Sequence, residues 1–483
     1  MNNINLDLNN LDKCFPEDFT QEQIAKAKTL FYKALSLEMH KFYQGKMQTL
    51  PKAGIWGFNW FNVWYTPGVS SVSTGIRDEI NQSYNLSNRG NLVAIISDST
   101  RVLGDGDCGK AGGLGVMEGK AFLMKYLGGV DAVALCIDDR DKEGNPDPEK
   151  IIDYVMMSAP SFGAVNLEDI SQPNCYYVLD ELRERCDIPV WHDDAQGTAC
   201  VILAGIINAI KLANKKIEDC KIVLLGAGAS NTTVSRLLLL TGAKPQNMSL
   251  FNSKGGLHKN RKDIEDDKRF YQQWELCQKT NPQCIDEIEI AVKGADILIA
   301  LSTPGPDVVK KHWISSMNTK PIVFVCANPV PEIYPYAAKE AGAYIVATGR
   351  GDFPNQVNNS LGFPGILKGT LLTQAKKITD NMAIAASYAL AEYAQNTQLD
   401  SEHILPLMTD IEVFAYVAEA VAQQAIKDGV ARIVYNKGEV KELTLQSILE
   451  TRRLIEQMIK EKHIPEPPQE LLQSVLEKVI KQV

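Results

Sequence analysis

Four acids in two adjacent pairs, Glu168-Asp169 and Asp193-Asp194, have the residue types and spacing best suited to chemistry in this chain. Mg²⁺ and Mn²⁺ take near-octahedral oxygen ligands, a few carboxylates with water and substrate completing the set, and three carboxylates from two segments meet that need. Adjacent acids are common on protein surfaces. The second pair, however, opens the apolar stretch from Gly197 to Lys215 and not a charged face. Tyr65 and Lys120 are candidate proton carriers. A lysine becomes a useful base when desolvation or a nearby cation lowers its pKa, and Lys120 follows Gly115-Val116-Met117-Glu118-Gly119 at the start of a predicted helix. Arg101, just past an apolar run, offers a planar fork for a carboxylate.

A second site type lies further on. Gly226-Ala227-Gly228-Ala229-Ser230-Asn231 follows the apolar run Ile222-Val223-Leu224-Leu225 and opens a helical pattern, so backbone N–H groups at a helix N-terminus would meet a pyrophosphate. Asn231 stands where the usual fingerprint has its third glycine. At the end of the next predicted strand, where an acid would hold the ribose 2′-hydroxyl of NAD, stand Asn252, Ser253 and Lys254. The missing carboxylate removes repulsion against a 2′-phosphate and Lys254 can pair with one, which tilts the cofactor towards NADP. Two amide-rich loops, around Asn328 and from Asn355 to Asn359, can hydrogen-bond a nicotinamide carboxamide or a substrate carboxylate without adding charge.

The elements that must position these groups read as alternating strands and helices. Strands are expected at 92–98 and 131–138, with a glycine-rich segment from Gly104 to Gly115 feeding the Lys120 helix between them. Further strands are expected near 221–225, 247–252, 296–301, 321–326 and 343–347, and helices over 21–47, 197–215, 367–427 and 440–482. The aromatic stretch from Trp56 to Tyr65 reads as core filling, and 139–150 as an exposed loop. In parallel sheets, ligand groups gather at the carboxyl ends of strands.

At 483 residues the chain exceeds what one core usually supports, and 45% hydrophobic with 23% charged residues is ordinary for a globular protein. A net charge of -9 gives no basic footprint for nucleic acid. The ten cysteines are scattered without a Cys-x-x-Cys pair, which fits reduced thiols in cytoplasm better than a disulfide frame or zinc site. No signal sequence is expected at the N-terminus, and no membrane span is expected.

Five segments, standing in order over roughly 60–395, carry a resemblance to a known family. They are Tyr65-Thr66-Pro67-Gly68-Val69, Val116-Met117-Glu118-Gly119-Lys120, Asn166-Leu167-Glu168-Asp169-Ile170, His192-Asp193-Asp194 through Thr198, and Asn355-Gln356-Val357-Asn358-Asn359 through Gly365. Together they resemble the malic enzymes, in the bacterial form without a phosphotransacetylase-like domain. The resemblance implies NAD(P)-dependent, metal-assisted oxidative decarboxylation of malate to pyruvate and CO₂. It implies Glu168, Asp169 and Asp194 as Mn²⁺ or Mg²⁺ ligands, Asp193 against Lys120, Lys120 as base and Tyr65 as acid. Arg101, Asn328 and Asn359 would hold substrate. Gly226, Gly228, Ala229, Ser230, Asn252, Ser253, Lys254 and Asn328 would hold cofactor. Asp105, Gly351, Asn231 and Asn252 depart from the family pattern and bear on cofactor and substrate choice.

The expected fold is α/β. A substrate and metal domain over 1–200 is followed by a Rossmann-like domain over 201–370, and helices over 371–483 pack back on the first domain. A homodimer follows from the resemblance alone. The rival readings are malolactic decarboxylation to lactate, with no accumulation of reduced cofactor, and a non-catalytic nucleotide-binding regulator.

Overall fold

A computed structural model describes residues 6–483. The chain divides into two compact units, Pro51–Leu449 and the pair of terminal segments Met1–Leu50 with Glu450–Val483. In the terminal unit the helix Gln21–Tyr43 starts with a capping box, in which Thr20 accepts from the Gln23 N–H and Gln23 reaches back to the Thr20 N–H. It buries Ala27, Phe31 and Leu35 together with Leu472, Val475 and Val479 of the helix Gln469–Ile480.

The larger unit is built on two sheets. The first has four parallel strands in the order β2-β1-β3-β4: β1 Leu92–Ser97, β2 Asp131–Cys136, β3 Ala164–Leu167 and β4 Val190–His192. The second runs β10-β9-β8-β5-β6-β7, with β5 Ile222–Leu225, β6 Met248–Asn252, β7 Gly255–Gly256, β8 Ile297–Ala300, β9 Ile322–Val325 and β10 Ile345–Thr348. All its pairings are parallel except the hairpin of β6 with β7. Near-continuous Val, Ile and Leu runs are what a sheet covered on both faces requires, and Val93 to Ile96 and Ile297 to Ala300 are fully buried.

Most expected strands and helices form within a few residues of their expected bounds. β3 and β4, at the ends of which the two acidic pairs emerge, go unread in the sequence. They have four and three residues, too few for a periodic signal to separate them from loop. The 139–150 loop is also less open than expected, since Asp139 is buried against Arg140.

The stretch after His192 is one π-helical turn, Asp193–Gly197, running into the helix Thr198–Ala213. This stretch, Asp193–Ala213, is long and apolar enough to cross a membrane by length and composition alone, but it carries Asp193, Asp194 and Lys211, and 72% of its window lies buried inside the protein. It is the central core helix. The amide buried along its length is fully used: on the helix Thr198–Ala213, Asn208 Nδ2 donates to Ala391 O and Ile404 O at 3.1 and 2.9 Å, and Oδ1 accepts from Gln395 at 2.8 Å.

The aromatic stretch is a further correction. Trp56, Phe58 and Tyr65 are 70, 81 and 74% exposed. The rings pair with one another along a short helical arm, Trp56 with Trp60 at 4.8 Å and Trp60 with Trp64 at 5.9 Å between centroids. Apolar character predicts burial in some interface, and the sequence does not say whose.

Candidate active site

The site sits where loops from the carboxyl ends of both sheets meet. Leu167 ends β3, so Glu168 and Asp169 leave the sheet directly; His192 ends β4, so Asp193 and Asp194 do the same one strand over. The carboxylate oxygens of Glu168, Asp169 and Asp194 lie within 4.8 Å of one another. Asp169 adopts φ 56°, a left-handed conformation that turns the chain back, and its N–H donates to Asp194 Oδ2 at 2.7 Å. Its own Oδ2 is buried without a partner. Burial, then the Asp194 charge, pushes the Asp169 carboxyl up to about 7 and Glu168 well above the ordinary carboxylate range. Three crowded carboxylates, Glu168 and Asp169 buried and Asp194 half-buried, with an orphaned oxygen among them fit a hard divalent cation.

Lys120 lies on the helix Leu114–Gly128, buried, with its ammonium donating to Asp193 Oδ2 and 3.0 Å from Glu168 Oε1. Burial alone would lower its pKa. The facing charges of Asp193, Glu168 and Asp194 outweigh that and hold it above the ordinary lysine value. The rest of the cage fixes the partners: Trp191 Nε1 donates to Asp193 Oδ1 at 3.1 Å, Asn166 Nδ2 donates to Glu168 Oε2 at 2.9 Å, and the Phe363 ring centroid lies 4.7 Å from Nζ. Gly197 is required by this packing, because a β-carbon there would stand 1.9 Å from Asp193 Oδ1.

The glycine turn lies against the same cluster. Gly226 has φ 94° and its position would bring a β-carbon to 2.3 Å from Leu301 O, so only glycine fits. Gly228 precedes the helix Ala229–Leu240, which starts without a side-chain cap and leaves its first-turn N–H groups to an anion. Asn231 in place of the third glycine is fully buried and donates to Leu225 O and Gly226 O at 2.9 and 2.8 Å, closing the turn from inside. Ser230 Oγ donates to Asp194 O at 2.8 Å, joining the nucleotide turn to the acidic cluster. Asn252, Ser253 and Lys254 stand at the end of β6.

The remaining expected residues fall around this centre with less contact. Arg101 is exposed, and its backbone N–H donates to Asp169 O at 2.9 Å. Asn328 is exposed in the loop after β9 with two glycines close against it: a β-carbon at Gly104 would meet its carbonyl oxygen at 2.5 Å, and one at Gly349 would meet its Nδ2 at 2.8 Å. Half-buried Asn359 opens a short turn into the helix Phe363–Leu372. Tyr65 is not brought in, and its exposed hydroxyl makes no hydrogen bond to Lys120 or the acids among the described residues.

Two catalytic-domain patterns match along this chain: "Malic enzyme, N-terminal domain" over residues 44–183 and "Malic enzyme, NAD binding domain" over 195–426. The chain belongs to the malic enzyme family. It is 39% identical to the bifunctional malic/malolactic enzyme of Bacillus subtilis over 85% of this chain and 97% of that one. It is 40% identical to the NAD-dependent malic enzyme of Geobacillus stearothermophilus over 80% of this chain and 78% of the relative. The crystal structure of Entamoeba histolytica malic enzyme superposes with a TM-score of 0.96 at 58% identity, covering 98% of each chain.

Several positioning groups around the site carry no motif of their own in the sequence. Glu332 is fully buried; Oε1 accepts from Ser302 N at 2.8 Å and Ser302 Oγ at 3.2 Å, and Oε2 accepts from Ala327 N at 3.0 Å. It ties the loop after β8 to the loop after β9 that carries Asn328, and burial pushes its carboxyl up. Arg350 grips the same loop, donating to Pro329 O at 2.8 Å. An acid at the far end of the proline-bracketed run Asn328-Pro329-Val330-Pro331 is the signal that points to Glu332.

Proposed function

We propose that this chain oxidises malate with NAD(P)⁺ and decarboxylates it to pyruvate, with Mn²⁺ or Mg²⁺ on Glu168, Asp169 and Asp194. The carrying observation is the contact of Lys120 with Asp193 and Glu168, inside the three-carboxylate cluster that Ser230 joins to the nucleotide turn. Lys120 takes the proton of the C2 hydroxyl as the C2 hydride leaves for the nicotinamide, and Asp193 orients its amine. CO₂ then departs from C3, and Tyr65 returns a proton to that carbon. Arg101, Asn328 and Asn359 hold the substrate's carboxylates and hydroxyl. A divalent cation on the three carboxylates supplies Lewis-acid polarisation of the C2 oxygen and cancels the charge that otherwise keeps Lys120 an ammonium.

Gly226, Gly228, Ala229 and Ser230 take the pyrophosphate, and Asn252, Ser253 and Lys254 the adenosine ribose, with NADP favoured because no acid stands at position 252. The exposed arm around Tyr65 supports a homodimer in which a second copy covers these rings, since contiguous apolar patches of this kind mark association surfaces. The ten cysteines, all free thiols, support a cytoplasmic setting.

The test is absorbance of reduced nicotinamide with malate, Mn²⁺ and either dinucleotide, with pyruvate and lactate assayed in the same tubes. Reduced cofactor and pyruvate should rise together, and Lys120→Ala should lower turnover about a hundredfold or more while cofactor still binds. Lactate without reduced cofactor would instead place the chain with the malolactic activity that its Bacillus relative's name includes.

A further inference from the structure

We propose that Arg261 is a positioning residue for cofactor choice, fixing the Asn252 amide so that its N–H donors face the ribose 2′ position. The inference rests on the NADP reading above and assigns the device that enforces it.

Asn252 closes β6 and pairs with Gly255 across the hairpin. Its Oδ1 accepts from two protein donors, the Lys254 N–H at 3.0 Å and Arg261 Nη1 at 3.2 Å. Two donors on one atom settle which end of the amide is oxygen, because an NH₂ there would face two N–H groups. The NH₂ is therefore turned away from the hairpin, and no hydrogen bond engages it among the described residues. An NH₂ offers donors only. It complements a 2′-phosphate, which accepts only, whereas the carboxylate usual at this position complements a 2′-hydroxyl that donates.

Arg261 cannot itself be the phosphate contact. It is 7% exposed, and its guanidinium is committed to protein acceptors. Nη1 also donates to Gly256 O at 3.0 Å and Gly255 O at 3.3 Å, while Nε and Nη2 grip Asp263 at 2.8 and 2.9 Å in a fork. The fork has a second effect, for it holds and neutralises the carboxylate that pairs with Lys254. Lys254 Nζ reaches Asp263 Oδ2 only at 3.4 Å and its side chain is 71% exposed, so the lysine is available to an arriving phosphate. Arg261 thus acts through two neighbours, orienting one amide and masking one acid.

A merely structural Arg261 would brace the hairpin for both dinucleotides alike, so the discriminating readout is a ratio. Binding of 2′,5′-ADP and of ADP to the full chain, measured by calorimetry, isolates the 2′-phosphate from the chemistry. The wild type should bind 2′,5′-ADP more tightly. The double variant Arg261→Met/Asp263→Asn, which leaves no buried acid unpaired, should lose about tenfold of that preference and hold its ADP affinity within about twofold. Asn252→Asp, nearly isosteric at the strand end, should shift the preference at least as far in the same direction. Loss of affinity for both ligands together, or a preference unchanged in both variants, would overturn the role of Arg261 and leave the NADP reading standing. A wild type that prefers ADP would remove the NADP reading itself, and this inference with it.

Discussion

Asp98 is the residue at which burial and charge conflict most openly outside the acidic cluster. It is 1% exposed, its Oδ1 accepts from Thr100 N and Oγ1 at 3.0 and 2.7 Å, and its Oδ2 has no partner among the described residues. Burial pushes its carboxyl up to about 6, with Asp139 adding to the effect. A carboxyl raised in the folded state binds its proton there before the unfolded chain does. Its stability contribution is therefore full below the ordinary carboxylate range and is lost as pH rises through about 6. Asp98→Asn keeps the acceptor for Thr100 and removes the charge, so the variant should gain on the order of 2 kcal/mol near neutrality and almost nothing near pH 4. Urea midpoints of the two proteins at both pH values check this; equal gains at both would disprove the titration. The residue types of the site itself, Lys120 and the two acid pairs, are legible as letters. Their partners Trp191 and Asn166 are not: each stands two residues before its acid, in the short strands β4 and β3, where a buried side chain gives no sign of the acid it donates to.

At the scale of elements, the π-helical turn Asp193–Gly197 does what an ordinary helix start would not. It presents Asp193 to Lys120 and Asp194 to the cluster from consecutive positions before the core helix begins. Gly197→Ala should force Asp193 off Lys120 while leaving the buried helix intact. Turnover is expected to fall about a hundredfold with an unchanged circular dichroism spectrum, and full activity would show that the glycine is dispensable. The helix was readable because its apolar residues run round the whole circumference, and β5 because a glycine turn follows it. β3 and β4 were not, although they deliver every carboxylate of the cluster; short buried strands are specified by the sheet they join. The turn at Gly226 was readable, but the replacement of its third glycine by an inward-facing Asn231 shows its logic only in three dimensions.

For the whole molecule, the exposed arm is the feature that sequence reading inverted. Apolar residues predict burial without naming the partner, and Trp56 and Phe58 bury little within their own chain. Replacing both with Asp should shift sedimentation from dimer to monomer and lower turnover with it, since Tyr65 belongs to the same arm. A monomeric wild type would refute the association. The parallel β-α alternation was legible, while β3, β4 and the antiparallel hairpin strand β7 were not. The division that joins both chain termini into one unit was not, because it depends on pairing between segments more than 400 residues apart, as in the Tyr43 hydroxyl donating to Pro465 O.

The hydrogen bond from Ser230 to the Asp194 carbonyl makes two binding equilibria one thermodynamic system. In the function proposed above Asp194 serves the cation and Ser230 opens the nucleotide helix, so occupancy of either site would bias the same link. Reciprocity then fixes the arithmetic: whatever factor a bound dinucleotide lends to cation affinity, the cation must return to the dinucleotide. Cellular metal supply and the pool of nicotinamide nucleotide would then not be independent inputs to this protein, and a half-saturation measured for one would have meaning only at a stated level of the other.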